Sequence, residues 1–189
     1  MAISCTPAIN NLPLNRHPTP VSITVNNERY LADYPLLFQL DCCSYSTLLK
    51  QIHARMLRIG LFFDPYSASK LIQVAAFSEV SSIQYAQKVF DQIPRPNLYS
   101  WNALIRSYAS SQEPVNALLI FIKMLHGSDE LPNKFTFPFL IKASALLSAL
   151  SVGKGLHGMV LKSEFGSDLF VLNSLIHFYG ECGCFDMAY

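Results

Sequence analysis

Asn102 has the residue type and the position of a group that contacts a ligand. It follows the only tryptophan of the chain, in the segment "LYSWNALIRSYA" at 98–109. The apolar residues of this segment recur at i, i+3, i+4 and i+7, the spacing of one buried helical stripe: Trp101, Leu104, Ile105 and Tyr108. Asn102 lies about 100° around the helix from that stripe and faces out of the core. Its amide can donate and accept hydrogen bonds there.

Other chemistry-bearing residues do not form a catalytic motif. The sequence has no Ser, His and acid grouping in a triad-like context, no Gly-rich phosphate loop, and no H-x-E with P-C-x-x-C deaminase signature. His53 and His157 occupy equivalent apolar segments, "QIHARML" and "GLHGMVL", which favours a packing role over a ligand or a base. We therefore expect no catalytic residues, no cofactor and no enzyme activity in this chain.

The cysteines favour neither a disulfide framework nor a zinc site. They are odd in number and clustered, and they form no C-x-x-C pair: Cys5, Cys42, Cys43, Cys182 and Cys184. A zinc site needs four well-spaced ligands, and the sequence lacks them. Reduced thiols in an intracellular compartment are the better interpretation, so no metal is expected.

Charge gives no indication of nucleic-acid binding through bulk electrostatics, and hydropathy argues against a membrane-spanning segment. The chain has 14 basic and 13 acidic residues, so no bulk charge indicates nucleic-acid binding. Residues 42–110 carry seven Lys/Arg and three Asp/Glu, a modest positive excess. The most hydrophobic stretch, "PFLIKASALLSALSVG", is interrupted by Lys142, so we expect no membrane partner.

An internal repeat organises the chain. The segments at 53–72 and 157–176 align without a gap at an offset of 104. A Leu-Ile pair recurs at spacings of 33, 36 and 35: Leu71-Ile72, Leu104-Ile105, Leu140-Ile141 and Leu175-Ile176. Each pair opens an amphipathic segment, and a second such segment follows it. The predicted fold is all-α, a right-handed α-solenoid of stacked antiparallel helix pairs with a period of about 33–36 residues.

The motifs resemble a known repeat family. "SWNALI", "ALLIFIKML" and "PNKFTFPFLIKA" resemble the plant pentatricopeptide repeat (PPR) of the PLS subfamily, whose units alternate in length. The resemblance covers about residues 35–189. It extends to the N-terminal part of chloroplast RNA-editing factors of the DYW type, incomplete at the C-terminus. The tetratricopeptide repeat shares the Trp, Leu and Tyr of "WNALIRSY", but Ile105 stands where that repeat has glycine.

This register divides the chain into a leader and five units. The units are 31–64, 65–97, 98–133, 134–168 and a truncated 169–189, of which the first matches only in its second half. Residues 1–30 contain no acid before Glu28 and are rich in hydroxyls, which suits a transit peptide, with a disordered tail as the alternative. The expected location is the chloroplast, with the mitochondrion as the alternative.

The resemblance also implies which residues would bind RNA. Each unit reads one base through its fifth and last residues: Ser69 with Asn97, Asn102 with Asn133, Pro138 with Asp168, and Asn173. The residue three before each fifth position is aromatic and would stack on a base: Tyr66, Tyr99, Phe135 and Phe170. Phosphate contacts are expected of three basic residues, with solvated surface as the alternative: Lys88, Arg95 and Arg106.

The expected function is sequence-specific binding of single-stranded organellar RNA, one base per repeat, for C-to-U editing-site recognition by the full-length protein. RNA-editing accessory proteins are possible partners. Two alternatives remain open. The chain could be a tetratricopeptide-like protein-interaction scaffold, or the targeting end of a zinc-dependent cytidine deaminase.

Overall fold

The computed structural model describes residues 35–77 and 82–184, and this part of the chain is helical with no strand. The predicted leader at 1–30 and the last residues of the truncated unit lie outside it. A 3-10 turn at Leu61–Phe63 lies between the second and third α-helices. The α-helices are α1 (Pro35–Asp41), α2 (Ser46–Arg58), α3 (Pro65–Phe77), α4 (Ile83–Phe90), α5 (Leu98–Ala109), α6 (Val115–Gly127), α7 (Phe137–Leu146), α8 (Leu150–Leu161) and α9 (Leu169–Glu181).

The helices pack as stacked pairs. The first helix of each pair contacts its own second helix, α3 with α4, α5 with α6, and α7 with α8. The first helices also pack on one another in the order α3, α5, α7 and α9. Helices α4 and α6 each contact the first helix of the following pair. The prediction of an all-α solenoid built from helix pairs is confirmed.

The periodic apolar residues form the core between neighbouring pairs. The stripe of Trp101, Leu104, Ile105 and Tyr108 is buried, as its spacing predicts. Three of the four Leu-Ile pairs are fully buried, and Leu175 is buried as well. Ile176 differs and is 52% exposed, because no helix in the described part of the chain packs on that face of α9. Burial of the isoleucine of this pair thus requires a first helix on both sides, whereas one side is enough to bury the leucine.

The two equivalent histidines hold neighbouring helix pairs together. His53 Nδ1 lies 2.9 Å from the Tyr85 hydroxyl, and His157 Nδ1 lies 2.8 Å from the Tyr179 hydroxyl. Burial lowers the pKa of His53 and raises the pKa of Tyr85, so both rings are neutral near pH 7. These contacts agree with the packing role expected for both histidines.

The Phe178 ring of α9 lies directly against α8 because residue 153 is glycine. A Cβ atom at Gly153 would lie 1.9 Å from Cζ of Phe178, well inside van der Waals contact. Gly153 and the Phe178 ring are both buried, so neither can move into solvent. Two positions further along the same helix, a Cβ atom at Gly155 would meet nothing within 4 Å. The contact with Phe178 therefore requires glycine at position 153, whereas no contact requires it at position 155.

This difference predicts opposite effects for the same substitution. Gly153→Ala should destabilise the chain by about 1–3 kcal/mol, since overpacking displaces the Phe178 ring. Gly155→Ala should stabilise it by about 0.5–1 kcal/mol, because alanine loses less backbone entropy in a helix. Urea unfolding followed by circular dichroism measures both values. A smaller ring partner, Phe178→Leu, should recover part of the Gly153→Ala loss. Equal effects of the two alanines would contradict this packing.

Candidate nucleic-acid interface

The last residue of each predicted unit caps or precedes the next first helix. Four acidic or amide side chains recur there at spacings of 33, 36 and 35: Asp64, Asn97, Asn133 and Asp168. Asp64 Oδ2 accepts the Ser67 N–H at 2.8 Å, and Asn97 Oδ1 accepts the Ser100 N–H at 3.0 Å. Asp168 Oδ1 accepts two backbone N–H groups of α9. The first N–H groups of a helix lack intrahelical acceptors, so these contacts stabilise its start.

A hydroxyl three residues later fixes three of these side chains. The hydroxyl oxygens of Ser67, Ser100 and Thr136 lie 2.7, 2.9 and 3.1 Å from the capping oxygen respectively, and Ser67 and Ser100 donate to it. Val171 occupies the equivalent place in the next unit and has no hydroxyl. This contact was not predicted, although the recurring pattern of Asp or Asn followed by Ser or Thr at the third position indicates a helix start.

The structure brings Asn102 and Asn133 together, and we call them the reading pair. Asn102 Nδ2 donates to Asn133 Oδ1 at 3.3 Å, across 31 residues of sequence. Thr136 Oγ1 lies 2.8 Å from Asn102 Oδ1 and belongs to the following unit. Both asparagines are half-buried, so each residue retains surface that solvent can reach. The position of Asn102 beside the buried stripe thus gives it a polar partner from the end of its own unit.

Ser69 and Asn97 lie beside the first turn of α3 and have separate backbone partners. The Ser69 hydroxyl donates to the Tyr66 carbonyl at 2.8 Å, and Ser69 is only 9% exposed. Asn97 Nδ2 donates to the Pro65 carbonyl at 3.1 Å. This pair is therefore less accessible than the reading pair.

The remaining predicted positions differ in exposure. Pro138 is buried in the second position of α7. Its predicted partner Asp168 lies 3.7 Å from Lys134 Nζ, so the carboxylate has a cation beside it. Asn173 is exposed on α9. Burial and the lack of a side-chain donor leave Pro138 unable to contact a base edge by a hydrogen bond.

Three of the four predicted aromatic residues face solvent. Tyr99, Phe135 and Phe170 are 78%, 53% and 51% exposed respectively. Tyr66 is half-buried and packs against the core. Lys134 Nζ lies 5.4 Å from the centre of the Phe135 ring, within the range of a cation–π contact. Tyr99 and Phe135 belong to consecutive units and flank the reading pair.

These residues share one solvent-facing surface along the first helices, which we call the stripe surface. It is distinct from the buried stripe of Trp101, Leu104, Ile105 and Tyr108. On α5 and its C-terminal capping residue it comprises the residues at i, i+3, i+7 and i+11 that lie outside the core: Tyr99, Asn102, Arg106 and Ser110. It continues to both neighbouring helices. The Arg106 guanidinium lies 4.8 Å from the Phe77 ring of α3 and 5.5 Å from the Phe139 ring of α7. Lys142 Nζ of α7 donates to Ser110 Oγ at 3.0 Å.

Basic side chains recur along the stripe surface. Arg106, Lys142 and His177 each directly follow a Leu-Ile pair, at spacings of 36 and 35, and all three are exposed. The equivalent residue on α3 is Gln73. Of the predicted phosphate contacts only Arg106 lies here, since Lys88 is on α4 and Arg95 is in the connection to α5. Alignment of the repeats was the signal that could have identified Lys142 and His177.

The described residues give less support to other kinds of site. Within 35–77 and 82–184, no three His, Cys, Asp or Glu side chains come close enough to hold a metal ion. No helix among these residues has the length and apolar character needed to cross a membrane. The stripe surface is therefore the best-supported site in this part of the chain.

Comparison with known proteins agrees with this arrangement. Residues 99–127 match the PPR repeat. This segment includes nearly all of α5 and all of α6, so the match covers the helix pair that presents Tyr99, Asn102 and Arg106.

The chain is also similar to pentatricopeptide repeat-containing proteins of Arabidopsis thaliana. One is 39% identical over 155 residues, which is 82% of this chain and 28% of the relative. Another, named chloroplastic/mitochondrial, is 39% identical over 152 residues, 78% of this chain and 24% of the relative. A third, named chloroplastic, is 35% identical over 192 residues, 100% of this chain and 26% of the relative. The chain thus spans between about a quarter and three tenths of these relatives' lengths.

Proposed function

We propose that this chain is part of a pentatricopeptide repeat protein, and that its stripe surface binds single-stranded RNA with one base per helix pair. The observation that carries the proposal is the contact between Asn102 and Asn133. It joins the fifth and last residues of one unit at a partly exposed position, where two amides can meet the Watson–Crick edge of a base.

Aromatic residues beside the reading pair support a base at this position. Tyr99 precedes Asn102 on α5, and Phe135 precedes α7 of the following unit. Both rings are mostly exposed, which leaves their faces available to stack on a base. Stacking of this kind contributes about 1–3 kcal/mol per base and tolerates every base, so it provides affinity while the amides provide selectivity.

Basic residues on the same surface support phosphate binding. Arg106 and Lys142 are exposed and lie one unit apart, as successive phosphates of an extended strand would require. Their contacts described above are with aromatic rings and a hydroxyl, which leave the charge of each uncompensated. These two residues place positive charge on the stripe surface although the net charge of the whole chain is close to zero.

We extend the proposal to the full-length protein. Relatives named chloroplastic and mitochondrial support an organellar location, and we favour the chloroplast. The resemblance to editing factors supports recognition of a C-to-U editing site, with any deaminase and accessory proteins acting through other parts of the complex. In this chain the role of the helix pairs is to bind and position RNA.

The basic residues predict a change in salt dependence. Arg106→Gln combined with Lys142→Gln should weaken binding of all RNA sequences alike. The slope of log K against log salt should become less negative by about 0.7 for each phosphate that is no longer neutralised. Fluorescence anisotropy with labelled oligonucleotides at several salt concentrations measures this slope. The matched control is Lys88→Gln with Lys154→Gln, which removes equal charge from α4 and α8. An equal change of slope in the control would contradict the assignment.

The reading pair predicts a transferable base preference. Asn102→Thr with Asn133→Asp should move the preference at one RNA position toward guanine. The new carboxylate can accept from guanine N1–H and N2–H, and it still accepts the Phe135 N–H. Kd values for a panel of single-stranded RNAs varied at each position measure the shift. The same exchange at Ser69 and Asn97 should act on the neighbouring nucleotide. Unchanged preference with unchanged folding would refute the reading role.

A further inference from the structure

We infer that Thr136, although it belongs to the next helix pair, fixes the orientation of the Asn102 amide and thereby sets uracil-versus-cytosine selectivity at the 98–133 unit. The inference rests on the proposed RNA-binding function and adds to it a specificity-determining residue outside the reading pair. It follows from the hydrogen bonds among four residues: Asn102, Asn133, Phe135 and Thr136.

Backbone donors determine the orientation of Asn133. The Phe135 N–H lies 3.0 Å from Asn133 Oδ1, and an N–H group can only donate. The oxygen of the Asn133 amide must therefore face this turn, and its NH₂ group must face away. Asn102 approaches the same oxygen at 3.3 Å and so has to present its own NH₂ group. The Asn102 oxygen is then on the other branch of its amide.

Thr136 completes this chain of constraints. Its Oγ1 accepts the Asn133 N–H at 3.0 Å, which leaves the single hydroxyl proton to donate. Asn102 Oδ1 lies 2.8 Å from Thr136 Oγ1, closer than Asn133 Oδ1 at 3.1 Å. Thr136 is 0% exposed, so water cannot take the place of the hydroxyl. The Asn102 oxygen is therefore held by a buried donor. A flipped amide would place its oxygen against the Asn133 oxygen and would lose the 2.8 Å bond in which it accepts the Thr136 proton.

A fixed amide distinguishes two bases that a free amide cannot. Uracil carries a proton at N3, whereas cytosine N3 is an acceptor. An amide held in one orientation presents its remaining N–H and lone pair at defined places, so it matches one of these edges and not the other. When the amide can rotate by 180°, donor and acceptor exchange places and either pyrimidine is accommodated. Without the Thr136 hydroxyl, only the longer 3.3 Å contact with Asn133 holds the Asn102 amide in this orientation, so selectivity at this unit depends on that hydroxyl.

The chain itself contains the substitution that tests this. Val171 is equivalent to Thr136 in the next unit and is fully buried at the start of α9. A valine therefore fits this place in the fold, and it has nearly the shape of threonine without the hydroxyl. Thr136→Val removes the donor while retaining the volume, and Thr136→Ser retains the donor while removing a methyl group.

The test measures Kd ratios for RNAs that carry uracil or cytosine at each position in turn. In the whole chain we expect a uracil-to-cytosine ratio different from one at the nucleotide bound by the 98–133 unit. Thr136→Val should move that ratio about fivefold toward one, the size of one net hydrogen bond. Thr136→Ser should retain the ratio. The matched control Ser100→Ala, which removes the equivalent hydroxyl of the preceding unit, should leave it unchanged at this nucleotide.

The outcomes separate the inference from the function on which it rests. An unchanged ratio in Thr136→Val, or no discrimination by the unaltered chain, would overturn the inference while RNA binding stands. A uniform loss of affinity without loss of selectivity would also overturn it, because that is the effect of a purely structural residue. Failure of the unaltered chain to bind any single-stranded RNA would instead overturn the proposed function.

Discussion

Burial of the Leu-Ile pair between successive first helices is the interaction on which the rest of the structure depends. A first helix with a neighbouring first helix on one side only leaves part of this face exposed, as Ile176 of α9 demonstrates. Each buried pair fixes the distance and rotation between neighbouring first helices. Residues at the same position in successive units, such as Arg106 and Lys142, therefore lie on one surface.

The closing residue of each unit serves the fold and the surface at once. Asn97 accepts from the start of α5 through its oxygen and donates to the Pro65 carbonyl through its nitrogen. Its amide can thus offer a ligand only the donor that remains. The Asn133 oxygen likewise accepts a backbone N–H, that of Phe135, whereas its partner Asn102 does not cap a helix. Any exchange of a closing residue must therefore retain an acceptor if the following helix is to keep its start.

Periodicity predicted the fold well, because a repeated apolar spacing permits few packings. The buried stripe beside Asn102 and the outward position of that residue also followed from helical spacing alone. The exposure of the individual reading positions could not be predicted from helical spacing. Ser69 donates to its own helix, Tyr66 packs against the core, and the role of Thr136 depends on hydrogen bonds between two units. Such contacts depend on how side chains of different units meet, which spacing within one unit does not specify.

The most direct test of the account observes the reading pair itself. Side-chain NH₂ resonances of Asn102 and Asn133 can be followed by NMR while single-stranded RNAs that differ at one nucleotide are added. The account predicts that both amides shift on binding, and that the shifts depend on the base at one position only. The side chain of Asn116 on α6, outside the stripe surface, should not respond. Binding that leaves the reading pair unshifted, or shifts that are indifferent to the base at every position, would contradict the account.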